Sequence, residues 1–318
     1  MKHLINKKNT PNIIKKATQI LKEGNLVIFP TETVYGIGAN ATLKEAILKI
    51  YKIKKRPLNN PLICHFSSIE TIRDNFKMKK VAYKLAEFFW PGPLTLILEK
   101  KKSSKINSHL SNNNKFVGCR IPNHPIALEL LKSVSFPIAA PSANIATKLS
   151  STRTDNLDKK LKNKVFYIDG GASKLGLEST VVDLTTKNPK ILRYGSITKE
   201  QLRKIIPNIA YTKSKKSTHK SPGMSSKHYS PNTPIRINVK KVLNHEVLLN
   251  FGNNHLISNI FQLNLSLEGN LEEAAKNLYN YLHILDNPKY KSIAVAPIPN
   301  RKLGKTINDR LKRASAKK

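Results

Sequence analysis

Amphipathic helices alternate with short buried strands along the first two thirds of the chain, and this alternation restricts the fold more than any other feature. The clearest case begins at Thr10, the expected N-cap, followed by Pro11 at the first helical position and by apolar residues at helical spacing up to Gly24. The pattern predicts a helix over about 11–23 and then a buried strand within 25–30. Such a mixed pattern without internal repeats indicates an α/β domain.

The alternation continues to residue 208. The sequence predicts further helices over 42–52, 81–89 and 124–133, and strands over 94–98, 136–140, 165–169, 180–184 and 191–193. Thr198 and Gln201 have the spacing of a capping box, which opens one more helix. We therefore assign residues 1–208 to the first α/β domain.

A second, smaller pattern follows a segment without apolar periodicity. Residues 209–234 are dense in Ser, Pro and Lys, and we interpret them as a linker. Beyond them the sequence predicts strands over 246–250, 259–263 and 292–296 and helices over 271–284 and 306–314. Residues 235–318 are therefore expected to form a small Rossmann-like α/β domain.

The charge of the chain is strongly positive. Its 318 residues include 56 Lys and Arg against 20 Asp and Glu, a formal net charge of +36. A directed field would attract anions such as nucleotides or RNA, but Lys-, Asn- and Ile-rich patches such as 101–115 also fit compositional drift on solvated surfaces. A hydrophobic content of 39% excludes a disordered basic tail.

The compartment is expected to be the cytoplasm, without membrane attachment. No apolar run reaches the roughly 18 residues that a membrane span requires. The N-terminal residues lack the apolar region of a secretory signal. Cys64 and Cys119 form neither a CxxC pair nor a disulfide framework, which is typical of a reducing environment.

Two glycine motifs suggest nucleotide binding only superficially. Residues 36–41 match the G-x-G-x-x-G/A dinucleotide fingerprint, but five residues separate the glycines from the strand, and no acidic residue follows about 20 positions later. The LGKT at 303–306 resembles the end of a P-loop, yet Pro299 stands where the first glycine must be. Neither motif predicts a site.

Polar groups at strand ends are more informative. Thr31, Glu32 and Thr33 directly follow a predicted strand, at the position where open α/β sheets bind ligands. Lys54 and Arg56 form either a solvated basic turn or a phosphate clamp. Arg120 follows an apolar stretch, so its charge is expected to need an anionic partner nearby.

Nine segments of the chain carry a resemblance to one family. They are FPTETVYGIGANA (29–41), KKRPLNNPLICH (54–65), WPGPLTLIL (90–98), RIPNHP (120–125), APSANIA (140–146), GLESTVVDL (176–184), ILRYGSIT (191–198), SPGMSSKHYSP (221–231) and GKTINDRLKRAS (304–315). In their order and spacing these segments resemble the YrdC-type threonylcarbamoyl-AMP synthases in their long, two-domain form. The resemblance implies a YrdC-like domain with a twisted, open, mixed sheet. It also implies synthesis of L-threonylcarbamoyladenylate and pyrophosphate from L-threonine, bicarbonate and ATP, with Mg²⁺ entering with ATP.

The resemblance also implies roles for individual residues. L-threonine would be surrounded by Thr33, His65, Arg120, Ala140 and Ser179. ATP would be held by Arg56, Asn60, Phe116, Ser142, Asn144, Ser150 and Arg193, with Lys54 beside Arg56 as the catalytic cations. Tyr229 would reach over the nucleotide and make the linker a lid. The product would pass to a downstream threonylcarbamoyl transferase that modifies tRNA, and weak direct binding of tRNA is expected.

Two departures and two alternatives accompany this interpretation. Tyr194 stands where the family usually has proline, and Ala146-Thr147 replaces a usual Ser-Gly. A basic RNA-binding protein of YrdC-like fold without catalysis would fit the charge, but it would not need Thr33, His65 and Arg120. A carbamoyltransferase-like relative would carry acylphosphatase and zinc-finger segments, which this sequence lacks.

Overall fold

The part of the chain that the structure describes contains two β-sheets, each with its own helices. The structure, a computed structural model, describes residues 3–4, 9–212 and 228–316. Of the predicted linker 209–234, residues 213–227 lie outside this description. Among the described residues, no helix is both long and apolar enough to cross a bilayer.

The first sheet has twelve strands in a mixed arrangement. Its strands are β1 (His3–Leu4), β2 (Val27–Phe29), β3 (Gly36–Asn40), β4 (Ile63–His65), β5 (Phe76–Lys77), β6 (Leu94–Lys100), β7 (Phe116–Arg120), β8 (Ile138–Ala139), β9 (Phe166–Asp169), β10 (Thr180–Asp183), β11 (Lys190–Arg193) and β12 (Ala210–Tyr211). The spatial order is β1-β9-β2-β3-β8-β4-β7-β6-β10-β11-β12, with β5 beside β6. The sheet contains parallel pairs such as β4 with β7 and antiparallel pairs such as β6 with β7.

In the described ranges, seven α-helices accompany this sheet. They are α1 (Thr10–Lys22), α2 (Lys44–Lys54), α3 (Ile69–Asn75), α4 (Lys80–Phe89), α5 (Pro125–Lys132), α6 (Lys159–Lys164) and α7 (Lys199–Arg203). Apolar residues of α1 and α5 form one core, which includes Leu21 and Leu130, and α2 and α4 contribute to a larger core that includes Ile50 and Leu85. These two cores fix the strand ends on which the polar side chains stand.

The second sheet has four parallel strands and two helices. The strands are β13 (Ile235–Arg236), β14 (Glu246–Asn250), β15 (Gln262–Asn264) and β16 (Ser292–Val295), in the order β13-β16-β14-β15, and the helices are α8 (Leu271–Leu285) and α9 (Leu303–Ala314). Their apolar faces share a core that includes Leu278 and Ile307. The two-sheet α/β architecture predicted from the sequence is confirmed.

Local signals were mostly confirmed at helix ends. The first helix begins at Thr10 with Asn9 as its N-cap, so the prediction of Thr10 as the cap was wrong by one position. Gly24 has a positive φ of 71°, as a helix stop requires. Thr198 and Gln201 form the predicted capping box.

The glycine-rich fingerprint is a strand. Residues 36–40 form β3, which pairs antiparallel with β2. A Cβ atom on Gly38 would lie 2.8 Å from both Ile138 and Phe29, so glycine is required here by packing inside the sheet. The LGKT segment likewise opens helix α9 and forms no phosphate loop.

Candidate active site

A polar cavity lies where several strands of the first sheet end. It is lined by loops after β2 and β8, by the ends of β4, β7 and β11, by the segment before β10 and by residues 228–229. The lining residues are Thr31, Thr33, Val34, Tyr35, Gly36, Arg56, Ile63, His65, Arg120, Ala140, Pro141, Ser142, Glu178, Ser179, Arg193, His228 and Tyr229. Three arginines and one carboxylate therefore face a single space.

One side of the cavity, which we call the sheet end, is formed by Thr33, His65, Arg120 and Ala140. His65 and Arg120 are register partners on the parallel strands β4 and β7, so the sheet itself places them side by side. Arg120 donates from Nη1 to the Thr33 hydroxyl at 3.0 Å and from Nε to the Gly92 carbonyl at 3.1 Å. The sheet thus fixes the geometry of this end.

Arg120 has the anionic partner that the sequence required. Its Nη2 lies 2.6 Å from Oε1 of Glu32, and both side chains are only 5% exposed. Glu32 does not line the cavity, so the carboxylate that follows β2 neutralises Arg120 from behind. Thr31 and Thr33, joined through their hydroxyls at 2.9 Å, are the members of that triplet that face the cavity.

His65 is neutral in this environment. Burial, and secondly the nearby positive charge of Arg120, lowers its pKa to about 3. Nδ1 of His65 is buried without a hydrogen-bond partner among the described residues. A neutral imidazole can accept a hydrogen bond from a bound amine without repelling it.

Arg56 follows helix α2 and is held rigidly toward the cavity. Its Nε donates to the Asn60 carbonyl at 2.9 Å, and its Nη2 donates to Asn60 Oδ1 at 2.5 Å and to the Pro61 carbonyl at 2.8 Å. Burial lowers the pKa of Arg56 to about 10, so the guanidinium stays charged near neutral pH. Asn60 therefore orients the cation rather than lining the cavity.

Lys54 supports the loop after β8 from behind. Its ammonium donates to the carbonyls of Ser142 (2.6 Å) and Asn144. Burial, and secondly the charge of Arg56, holds the pKa of Lys54 well below its usual range. The Ser142 hydroxyl, which does line the cavity, donates to Asn144 Oδ1 at 2.5 Å.

The opposite side, which we call the junction end, is formed by Glu178, Arg193, His228 and Tyr229. Arg193 donates from Nη2 to the carbonyl and hydroxyl of Ser179 at 2.8 and 3.0 Å. The Ser179 hydroxyl also shares a hydrogen bond with Thr95 at 2.7 Å. Ser179 thereby links the guanidinium to strand β6.

Glu178 accepts hydrogen bonds from residues of both domains. It accepts from Ser150 at 2.6 Å, from the Tyr279 hydroxyl of α8 at 3.0 and 3.1 Å, and from Arg310 Nε of α9 at 2.9 Å. Burial alone would raise the pKa of Glu178, but Arg310, Arg193 and the Ser150 hydroxyl outweigh it and lower that pKa to about 2. The carboxylate is therefore ionised and fully paired.

Tyr229 closes the junction end from the side of the predicted lid. Tyr229 is 1% exposed and has a positive φ of 60°. The centroid of its ring lies 4.0 Å from the centroid of the His228 ring. The Arg310 guanidinium stacks on the same ring at 4.8 Å. Burial lowers the pKa of His228 to about 3, against the opposing effect of Glu178, so this imidazole is also neutral.

Nine of the predicted site residues line the cavity and five do not. Those that line it are Thr33, Arg56, His65, Arg120, Ala140, Ser142, Ser179, Arg193 and Tyr229. Lys54, Asn60, Asn144 and Ser150 stand directly behind lining residues through the hydrogen bonds described above. Phe116 opens β7 and packs near Ile97, Val181 and Leu192, away from the lining set.

Sequence reasoning missed Glu178, His228, Tyr279 and Arg310. Glu178 and Arg310 fall inside quoted family segments, but nothing local distinguishes them from neighbouring charged residues. Arg310 could have been found from helical spacing, because it shares the buried face of α9 with Ile307, Leu311 and Ala314.

Two family models match the chain. Residues 19–195 match the Sua5/YciO/YrdC model, which is described as telomere recombination. Residues 197–316 match the model of the threonylcarbamoyl-AMP synthase C-terminal domain.

Full-length relatives give the same result. The threonylcarbamoyl-AMP synthase of Pyrococcus abyssi is 36% identical, covering 95% of this chain and 94% of the relative, and that of Bacillus subtilis is 34% identical, covering 96% and 94%. The crystal structure of P. abyssi Sua5 complexed with L-threonine superposes with a TM-score of 0.90 at 33% identity, covering 99% of this chain and 97% of that one.

Proposed function

The chain belongs to the threonylcarbamoyl-AMP synthase family, and from that premise we propose that it forms L-threonylcarbamoyladenylate and pyrophosphate from L-threonine, bicarbonate and ATP. The observation that carries the proposal is the cavity itself, which brings three arginines, several hydroxyl groups and a neutral histidine around one space. The reaction transfers an adenylyl group, so the enzyme would be a nucleotidyltransferase. Its product would supply a transferase that makes N6-threonylcarbamoyladenosine in tRNA.

We assign L-threonine to the sheet end. The Thr33 hydroxyl at this end, and the Ser179 hydroxyl elsewhere in the same cavity, can bond the polar groups of the amino acid, and Ala140 offers a small apolar wall. His65, being neutral, can accept a hydrogen bond from the amine that must attack. The P. abyssi relative, solved with L-threonine, supports an amino-acid site in this fold.

We assign the ATP phosphates to two of the three arginines, because Arg120 belongs to the sheet end. Arg56 and Arg193 are charged donors fixed by Asn60 and Ser179, as phosphate binding requires. The Ser142 loop, shaped by Lys54, would approach the nucleotide with its backbone. Ser150 would act through Glu178, and Tyr229 would cover the bound nucleotide.

The chemistry needs alignment and charge neutralisation rather than a covalent enzyme intermediate. The threonine amine attacks bicarbonate and water leaves, which gives a carbamate. A carbamate oxygen then attacks the α-phosphorus of ATP, and pyrophosphate departs. Fixed arginines stabilise the charge on the phosphates, and a closed site protects the hydrolysable carbamate from water.

Mg²⁺ would enter as a complex with ATP and neutralise phosphate charge. The cavity's donors fit that interpretation, because its one carboxylate, Glu178, is already paired with Arg310 and Tyr279. No group of three potential metal ligands occurs in the described part of the chain. The phosphates themselves would therefore hold the ion.

The test is release of pyrophosphate from ATP by the purified protein, with L-threonine and bicarbonate omitted in turn. Release should require both. Arg56→Ala should lower kcat/KM for ATP by about tenfold or more, whereas Arg301→Ala, at an exposed arginine, is the matched control. Salt-sensitive RNA binding without any pyrophosphate release would instead favour the RNA-binding alternative.

A further inference from the structure

Arg310 connects the second domain to the cavity. It lies on α9, is the largest of the almost fully buried side chains, and is 1% exposed. Its guanidinium donates to Glu178 from Nε at 2.9 Å, to Asp309 from Nη1 at 2.6 Å and to the Tyr194 carbonyl from Nη2 at 2.6 Å. The flat face of the same group stacks on Tyr229.

Two of these contacts are with residues that line the cavity. Glu178 forms part of its wall and Tyr229 part of its cover. Tyr279 of α8 adds a second donor to Glu178 from the same domain. The junction end is therefore built jointly by both domains.

If the cavity is to bind an anionic ligand, the negative charge of Glu178 must be paired with a cation such as Arg310. Among the described residues that line the cavity, Glu178 is the one acidic residue, and it precedes Ser179, which holds Arg193. An unpaired carboxylate here would repel phosphates and attract Arg193 toward itself. Arg310 cancels that charge and leaves Arg193 directed by Ser179.

Folding stability alone does not account for such a group. A buried ion pair costs desolvation energy that its attraction only partly returns, and an apolar replacement of both partners is often neutral. A buried ion pair is useful despite its desolvation energy where it fixes an arrangement of side chains that apolar residues would leave undetermined. Arg310 fixes such an arrangement, because it contacts Glu178 in the wall, Tyr229 in the cover and the Tyr194 carbonyl.

We infer that Arg310 is a positioning residue of the active site, which neutralises Glu178 and seats Tyr229 so that the cavity accepts the ATP phosphates. This inference rests on the proposed function for the identity of the ligand. It assigns the second domain a part in nucleotide binding through Arg310, which acts on the lining residues Glu178 and Tyr229 and does not itself line the cavity.

The kinetic test compares Arg310→Met with wild type in ATP and threonine titrations. KM for ATP should rise about tenfold or more, and KM for threonine should change less than about threefold, because the sheet end has its own supports. Arg236→Met is the matched control. Arg236 is another arginine of the second domain and is paired with Glu246, but its side chain is 43% exposed. Equal changes in both KM values, or none, would overturn the inference.

A compensating variant separates positioning from general damage. Glu178→Gln added to Arg310→Met removes the uncompensated charge, so it should recover part of the lost ATP affinity. A purely structural defect would be worsened by the second substitution. Absence of any recovery would contradict charge neutralisation by Arg310.

Hydrogen exchange tests the seating of the cover without reference to activity. The Ser230 amide donates to the Thr147 carbonyl at 2.8 Å and follows Tyr229 directly. Its exchange should accelerate about tenfold or more in Arg310→Met and remain unchanged in Arg236→Met. If the Ser230 amide of Arg310→Met exchanges at the wild-type rate, the inference is overturned. If the wild-type protein releases no pyrophosphate, only the proposed function is overturned.

Discussion

The two ends of the cavity are built in different ways. At the sheet end, His65 and Arg120 are neighbours on paired strands, and Glu32, which neutralises Arg120, follows a strand of the same sheet. At the junction end, Glu178 and Tyr229 depend on Arg310 from the second domain. The difference teaches that one end can be complete within a single domain, whereas the other exists only when both domains are docked.

The largest expected effect is at the sheet end. Arg120→Ala would leave Glu32 buried without its cation, and breaking a buried pair in this way typically costs about 3–5 kcal/mol. The free energy of unfolding in urea should fall by that amount. The double variant Arg120→Met with Glu32→Gln should lose less than Arg120→Ala alone, and a loss below about 1 kcal/mol for Arg120→Ala would contradict the pairing.

A smaller effect is expected where the domains touch. Gly176 has a positive φ of 73°, and a Cβ there would lie 2.5 Å from the Ala275 carbonyl oxygen and 2.6 Å from Lys276 Cα, both on α8. Gly171 has a similar φ of 77° with nothing within 4 Å of its Cβ position. The two glycines thus share the backbone strain and differ in the contact.

Alanine at each glycine therefore isolates the domain contact. Gly171→Ala should cost about 1 kcal/mol for the left-handed backbone, and Gly176→Ala about 1–3 kcal/mol more because α8 must move. KM for ATP should rise in Gly176→Ala only. Equal losses in the two variants, measured by denaturant unfolding, would show that the junction tolerates displacement of α8.

The same contrast explains what the sequence could predict. The need of Arg120 for an anion followed from its apolar surroundings, because a buried charge must be paired. Helix α1, its glycine stop and the capping box at Thr198 followed from local rules. These features depend on nearby residues, and so does most of the sheet end.

Features set by distant residues could not be predicted in this way. Glu178 and Arg310 are 132 positions apart, and their pairing is a consequence of domain docking. Strands β4 and β5, of three and two residues, are too short to show a periodicity and form because neighbouring strands bond them. Residues 36–40 match a loop fingerprint only superficially, and no local signal showed that antiparallel pairing with β2 makes them a strand.

The smallest expected effect concerns two neutral histidines, one at each end. Burial, the largest cause in both, lowers the pKa of His65 and of His228 to about 3 from an ordinary value of 6.5. Below pH 6.5 the unfolded chain therefore binds a proton at each position that the native protein does not bind until about pH 3. Each histidine's contribution to stability is complete above pH 6.5 and is lost as the pH falls toward 3.

When the pH is lowered from 7.5 to 5.5, each histidine should reduce the free energy of unfolding by about 1.4 kcal/mol. His65→Gln and His228→Gln should each reduce the wild-type loss on acidification by that amount, with the same substitution at the exposed His255 as the matched control. In the Arg310→Met background the effect of His228→Gln should shrink, because His228 packs on the Tyr229 ring that Arg310 supports. The effect of His65→Gln should persist there, since its strand partners do not involve the second domain. Equal shrinkage at both histidines would mean that the two ends are held by one cooperative unit.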